Sequence, residues 1–284
     1  MNRSSSSRPT TSRPTTSRPA AARAAGGSRG GRTAPRAAVA RPARPGAAVR
    51  LFCFPYAGGG SSVFRSWSGL LDESVEVCPV LLPGREERFG EPPRTDMDVL
   101  VPQLAESLAG WLDKPFAFFG HSMGGQIAFA LARHLCAHGP ARPERVFVSG
   151  CVPFRGPVER HTLPDEAFLT EIRNMNGAPP AFLDNPELVE LLLPTLRADF
   201  TLSETCAFPP DATLPVPLTA FAGTEDPEAR LDQVKEWSRH AGGPFDAYEL
   251  AGDHFFLHDA APLLGIVGRL LTAGRERRPA PGTR

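Results

Sequence analysis

The chain has 284 residues, 41% hydrophobic and 22% charged, and its 31 basic and 31 acidic side chains cancel to a formal net charge of zero. The cancellation is uneven: residues 1–50 carry eleven arginines and no acid, so residues 51–284 set 20 basic against 31 acidic groups. About 230 residues suffice for one large α/β domain, the apolar runs fall far short of the roughly 18 residues a membrane-spanning helix needs, and five cysteines without C-x-x-C spacing indicate free thiols in a reducing compartment.

From Arg8 to Pro19 the chain repeats a five-residue Arg-Pro-Thr-Thr-Ser unit, then runs on as Ala/Gly/Arg/Pro-rich sequence to about Ala48. Apolar residues larger than Ala are almost absent there, so nothing offsets the entropy of ordering, and residues 1–48 are expected to be a disordered tail. No apolar core of a secretory signal is present, and the repeated prolines oppose the amphipathic helix of a transit peptide. A cytoplasmic monomer is expected, with neither a membrane nor a nucleic-acid partner. Residues 49–273 are expected to form the domain and 274–284 a second, mobile end.

Within the domain, Leu51–Phe54 reads as a buried strand, followed by the glycine-rich Tyr56-Ala57-Gly58-Gly59-Gly60. A phosphate-cradling role for these glycines is weak, because no Gly-Lys-Ser/Thr follows. Val75–Leu81 is the next strand. Asp96 then caps a helix running to about Trp111, with Leu100, Leu104, Leu108 and Trp111 on one face. Phe116–Phe119 is a strand that runs directly into Gly120-His121-Ser122-Met123-Gly124, and a helical pattern continues from Gly125. Strand, G-x-S-x-G and helix in succession are what a nucleophile elbow requires, so Ser122 is the expected nucleophile, held at the positive end of the following helix.

Val146–Ser149 is a further strand. From Leu163 to about Thr205 the rhythm breaks: helical patterns over Glu166–Asn174 and Pro186–Arg197, punctuated by Pro179-Pro180 and Asn185-Pro186, predict an all-helical lid over about 160–205. Leu218–Ala222 and Ala247–Leu250 complete six short strands. Strands alternating with helices predict a mostly parallel sheet covered on both faces.

A serine hydroxyl needs a base, and the base a group that holds its tautomer. In an elbow-type hydrolase the acid and then the histidine follow the serine in chain order. Three histidines lie well downstream. His254 is favoured, because its loop follows the last predicted strand; His240 falls in a helical pattern and reads as solvated surface, and His258 as a neighbour that packs or lines the entrance. Asp226 is the favoured acid, since the proline after it biases it toward an extended conformation, with Glu225 as the alternative. The oxyanion hole would use the N–H of Met123, the residue after the nucleophile, and an N–H from the glycine-rich loop, for which Ala57 is the candidate.

Leu51–Gly60 (LFCFPYAGGG), Phe64-Arg65-Ser66-Trp67, Leu82–Arg88 (LPGREER), Phe119–Gly125 (FGHSMGG), Ala198-Asp199-Phe200 and Gly252–Leu257 (GDHFFL) occur in that order. Together they resemble the type II thioesterases that accompany polyketide synthases and nonribosomal peptide synthetases. The resemblance covers about residues 50–272. It implies an α/β-hydrolase fold with a helical lid, hydrolysing acyl thioesters on the phosphopantetheine arms of acyl or peptidyl carrier proteins and so unblocking stalled synthase modules. It places Ser122, Asp226 and His254 at the triad and Ala57 and Met123 at the oxyanion hole, with no cofactor and no metal. Three positions depart from the family pattern: Tyr56 where His is frequent, Asp253 where Gly is usual, and Cys206 where Tyr is common.

Rivals with the same machinery are a serine carboxylesterase and an acyltransferase; a rival of another class is a catalytically silent binding module. An acidic carrier protein would be repelled at long range by the acidic body, so docking would require a local basic patch, for which Arg85, Arg88 and Arg94 are the candidates, or an apolar contact through the lid.

Overall fold

The computed structural model describes residues 39–40, 44, 46–154, 156, 159–175 and 183–276. Most of the expected tail, Pro179-Pro180 and the last eight residues lie outside the described residues.

Six strands form one parallel sheet in the order β2-β1-β3-β4-β5-β6: β1 Val49–Phe54, β2 Val75–Pro79, β3 Phe116–His121, β4 Val146–Ser149, β5 Leu218–Gly223 and β6 Phe245–Leu250. All six predicted strands are present. The two-residue period of a strand divides their side chains between two cores. Phe52, Phe54, Phe116 and Phe118 face α1 (Met97–Leu108), α2 (Met123–His138) and Trp237. Leu51, Cys53, Ala117, Phe119, Phe147 and Phe221 face the opposite way, against Trp67 and the C-terminal helix. Helices therefore cover both faces, as the α/β-hydrolase fold requires. Asp96 caps α1 through a side-chain bond from the Asp98 N–H, and a 3-10 turn carries the chain on to Trp111.

Between β4 and β5 lie α3 (Asp165–Asn174) and α4 (Pro186–Thr205), with no described strand between them. Helix α4 runs two turns beyond the predicted end at Arg197. Its late threonines do not break it, because the Thr201 and Thr205 hydroxyls donate to carbonyls one turn back, at 2.8 and 2.7 Å. Phe168, Ile172, Leu196 and Phe200 form a small core inside this insertion that also packs on Leu163 and Ala57. The short α5 (Leu231–Val234) precedes β6, and α6 (Ala260–Glu276) is the last described element, extending past residue 273.

Packing at the N-terminus starts earlier than residue 49. Val39 is 2% exposed and bridges to Val80, the Ala40 N–H donates to Pro79 O, and Arg44 donates to the carbonyls of Ser68, Leu71 and Asp72. Arg50, inside β1, is buried against Glu76 at 2.9 Å and also pairs with Asp113. These two arginines belong to the folded body, since each finds acceptors that replace water. All five cysteines are free. Burial pushes the thiols of Cys78 and Cys206 up to about 12, and those of Cys53 and Cys136 upward as well. Among the described residues no helix is long and apolar enough to cross a membrane.

Candidate active site

The elbow is dictated by close approach. A Cβ on Gly120 would stand 1.9 Å from Gly124 O, and one on Gly124 would stand 2.1 Å from Phe54 O, so neither position admits a side chain. Between them Ser122 adopts φ 53°, ψ −121°, a strained conformation for a residue with a Cβ. It is held there by its N–H on Ser149 O at 2.7 Å and by Gly125 N–H on its own carbonyl at 2.9 Å. The turn sets Ser122 at the mouth of α2, with the Met123 N–H in the first helical turn.

His254 lies in the loop after β6 and Asp226 in the loop after β5, both buried. The two loops are stitched together. A Cβ on Gly223 would sit 2.6 Å from the carbonyls of Gly252 and Asp253, and Glu225 N–H and Thr224 N–H bond Gly252 O and Leu250 O. Asp226 Oδ1 accepts the N–H groups of Glu228 (2.8 Å) and Ala229 (3.2 Å), which aims Oδ2 at His254 Nδ1, 2.9 Å away. Nδ1 must carry the proton to donate to a carboxylate, so Nε2 is left with its lone pair. Glu225 is exposed, so of the two acids in this loop it is Asp226 that meets the histidine. No hydrogen bond joins Ser122 Oγ to His254 among the described residues; contacts of this kind commonly tighten only with substrate.

What ties the histidine loop to the elbow is His121, which occupies a variable position of G-x-S-x-G and so carries no signal in the sequence. Its Nε2 donates to the His254 carbonyl at 2.7 Å, and its Nδ1 accepts from Ser149 Oγ at 3.0 Å. Burial, and then the neighbouring His254, hold its pKa well below 6.5, so the ring is neutral and its tautomer fixed.

The remaining histidines differ from one another. His258 Nε2 is 3.2 Å from the Tyr56 hydroxyl, and Phe255 stacks on its ring, which makes it a packing neighbour as expected. Burial raises the Tyr56 pKa, so its phenol stays protonated. His240 is not surface: it is 6% exposed, packed by Phe129, Phe208 and Trp237, and bonded through Nδ1 to Ala212 O. Its helical stretch is a short 3-10 segment pressed on the core, which a solvated-face reading of the pattern cannot anticipate.

Ala57 sits in a tight turn in which Gly59 N–H donates to Tyr56 O at 2.9 Å and Gly58 has φ +77°, the pattern of a type II turn. The loop before it abuts the start of α2, where Gly124 approaches Phe54 O and Pro55 O. Among the described residues the Ala57 N–H has no acceptor. No group of three His, Cys, Asp or Glu side chains with metal-holding geometry occurs among the described residues.

A family model for the thioesterase domain matches residues 49–270. The chain belongs to the thioesterase family. Its activity is thioester hydrolysis. It is 43% identical over 218 residues to thioesterase PikA5 of Streptomyces venezuelae, covering 76% of this chain and 78% of that protein. Among solved structures it resembles RedJ, a thioesterase from the prodiginine biosynthetic pathway of Streptomyces coelicolor, with TM-score 0.72, 37% identity and coverage of 78% and 86% of the two chains. It also resembles YbtT, a type II thioesterase from the yersiniabactin NRPS/PKS pathway, with TM-score 0.73, 32% identity and coverage of 82% and 97%.

In this thioesterase the arginines considered for a basic patch have internal partners. Arg85 is buried and paired with Asp199, Arg88 pairs with Glu91 and donates to Leu81 O, and Arg94 bonds Gln103 and Pro92 O. Arg85 and Arg88 are thus neutralised by carboxylates within the fold, whereas Arg94, bonded only to neutral groups through exposed contacts, keeps its charge at the surface, so one of the three arginines and not a cluster is presented.

Proposed function

We propose that Ser122, His254 and Asp226 are the catalytic triad of a type II editing thioesterase, and that its substrates are acyl groups on the phosphopantetheine arms of acyl or peptidyl carrier proteins of a polyketide or nonribosomal peptide synthase. The observation that carries this reading is the 2.9 Å bond from His254 Nδ1 to Asp226, on loops bound to the elbow through His121.

In the first step His254 Nε2 takes the Ser122 hydroxyl proton as Oγ bonds to the thioester carbonyl carbon, and the carbonyl electron pair moves onto oxygen. The Ala57 and Met123 N–H groups hold this oxyanion. As the carbonyl re-forms, the C–S bond breaks and His254 returns its proton to the pantetheine sulfur. A water molecule then attacks the acyl-serine with His254 again as base, and collapse gives a carboxylic acid and free Ser122. Thioester and water are converted to acid and thiol, with no proton or electron left over.

Residues 160–205 act in this reading as the lid over the acyl chain. Leu188 and Leu191 are 40% and 52% exposed on one face of α4, which supports an apolar docking contact for the carrier protein and agrees with the internal pairing of Arg85 and Arg88. Little change of rate with salt on a carrier-protein substrate is the expected result; a steep fall would favour electrostatic docking. The protein is taken to act as a cytoplasmic monomer.

The deciding experiment compares parent, Ser122→Ala and His254→Ala on acyl-carrier-protein thioesters, acyl-CoA and oxygen esters. Loss of up to about 10⁶-fold in kcat is expected for either variant. Undiminished hydrolysis by Ser122→Ala would refute the triad. A preference for oxygen esters would make the protein a carboxylesterase, transfer to an added amine an acyltransferase, and failure of a fluorophosphonate to label Ser122 a silent binding module.

A further inference from the structure

Arg85 and Asp199 take no part in the mechanism above, yet they meet beside the glycine loop. Arg85 Nη1 and Nη2 donate to Asp199 Oδ2 and Oδ1 at 2.8 and 2.6 Å, a parallel fork between two buried side chains. The pair also reaches the loop backbone: Asp199 Oδ2 accepts the Gly58 N–H at 2.8 Å, and Arg85 Nη1 donates to Gly59 O at 2.9 Å. Gly58 N–H belongs to the central peptide of the turn whose preceding peptide carries the Ala57 N–H.

Neighbouring residues hold the same loop. Glu86, in the left-handed region at φ 48°, accepts the Ser61 and Ser62 N–H groups at 2.8 and 3.2 Å. Helix α4 contributes more than Asp199. Leu196 Cδ1 lies 2.8 Å from where a Gly58 Cβ would stand, and Thr195 Oγ1 donates to Gly84 O at 3.0 Å. Residues 195, 196 and 199 share one face of the helix, so that face is seated on the glycine loop and on the Pro83–Glu86 loop together.

A buried ion pair is a poor device for stability, because desolvation offsets most of its attraction, and here Arg85 Nε is buried without a partner among the described residues. What a planar fork supplies is orientation. An oxyanion hole depends on orientation, since its donors act only if they are aimed before charge develops.

We propose that Arg85 and Asp199 are positioning residues for the oxyanion hole, which fix the attitude of the Ala57 N–H and couple it to the seating of α4. The inference rests on the proposed role of Ala57.

The test measures kcat and KM on an acyl-pantetheine thioester for Asp199→Asn, Arg85→Lys and the double variant Arg85→Met/Asp199→Leu. Two inhibition constants accompany them. One is for an acyl trifluoromethyl ketone, whose adduct with Ser122 places an oxyanion in the hole; the other is for the matching thioether, which carries no electrophilic carbonyl. Complete loss of one oxyanion donor costs about 10²–10³-fold in kcat, so a misaimed donor is expected to cost about 10–100-fold in Asp199→Asn. The trifluoromethyl ketone constant should rise in parallel, with KM and the thioether constant within about threefold. The double variant separates positioning from stability: apolar replacement of a buried ion pair is commonly neutral for folding, the loss of the bonds to Gly58 N–H and Gly59 O should lower its melting temperature only modestly, and it should remain folded at the assay temperature and still show the kcat loss. If Asp199→Asn does not fold, the double variant decides. A stable double variant with parental kcat and an unchanged trifluoromethyl ketone constant overturns the inference, as does a loss confined to KM. Should Ser122→Ala remain active, the triad reading fails instead, whatever the Asp199 variants do.

Discussion

Asp226→Asn is the sharpest probe of the proposed triad, because the hydrogen bonds around Asp226 determine which way the new amide points. Asp226 Oδ1 accepts two backbone N–H groups and Oδ2 accepts His254 Nδ1–H. An asparagine has one acceptor oxygen and one donor NH₂. Facing its oxygen to Glu228 and Ala229 keeps two backbone bonds and turns the NH₂ toward the imidazole. The opposite orientation keeps the histidine bond but sets one part-buried and one buried N–H group against a donor. Each neutral bond contributes about 1 kcal/mol, and each stranded buried donor costs about 1–3 kcal/mol, so the first orientation is preferred by at least ~1 kcal/mol. His254 Nδ1 must then accept, its proton moves to Nε2, and the base has no lone pair for Ser122. In a serine triad this tautomer error costs about 10⁴-fold in kcat. The assay is the appearance of free pantetheine thiol near neutral pH, together with a melting curve, which should shift little because the loop bonds are retained. A variant within about tenfold of the parent kcat would refute the reasoning and detach Asp226 from His254 function.

Two further outcomes follow from the packing. His121 has a native pKa lowered by burial, so the unfolded chain binds its proton more readily than the native state does. The stability associated with neutral His121 is therefore fully present above pH about 6.5 and is lost as pH falls toward the native value, by up to ~1.4 kcal/mol per pH unit. Urea unfolding at pH 7.5 and 5.5 should show this slope reduced in His121→Gln, and an identical slope would count against it. Removal of residues 1–48 should destabilise the domain by about 2 kcal/mol relative to removal of 1–38, the worth of burying one valine, with the Arg44 contacts in addition; equal midpoints for the two truncated chains would show that Val39 contributes nothing.

Much of the site is legible in the sequence because its signals are local. Gly120 and Gly124 mark the elbow, and the loops after Gly223 and Leu250 carry an acid and a histidine. The inner strands β1, β3, β4 and β5 are legible because they are buried on both faces and read as short, mostly apolar runs. What escapes depends on partners far along the chain. Arg50 looks like the end of a basic tail until Glu76 and Asp113 are beside it. Asp199 resembles any mid-helix acid until Arg85 comes from 114 residues away. His240 follows a surface pattern, yet Phe208 and Trp237 cover it. The β6 edge strand begins two residues early, at Phe245, because Asp246 on it is half-exposed and finds Arg145.

The raised thiols bear on how the enzyme survives its own chemistry. A protein that handles activated acyl groups is exposed to acyl capture by any thiolate it carries, because thiol–thioester exchange proceeds through the deprotonated sulfur. With pKa values of about 12, Cys78 and Cys206 are ionised at neutral pH only to the order of one part in 10⁵. They are therefore poor acyl acceptors and poor targets for alkylating or disulfide-exchanging reagents, so a colorimetric thiol titration of the native enzyme during turnover should read neither of these two sulfurs alongside the released product.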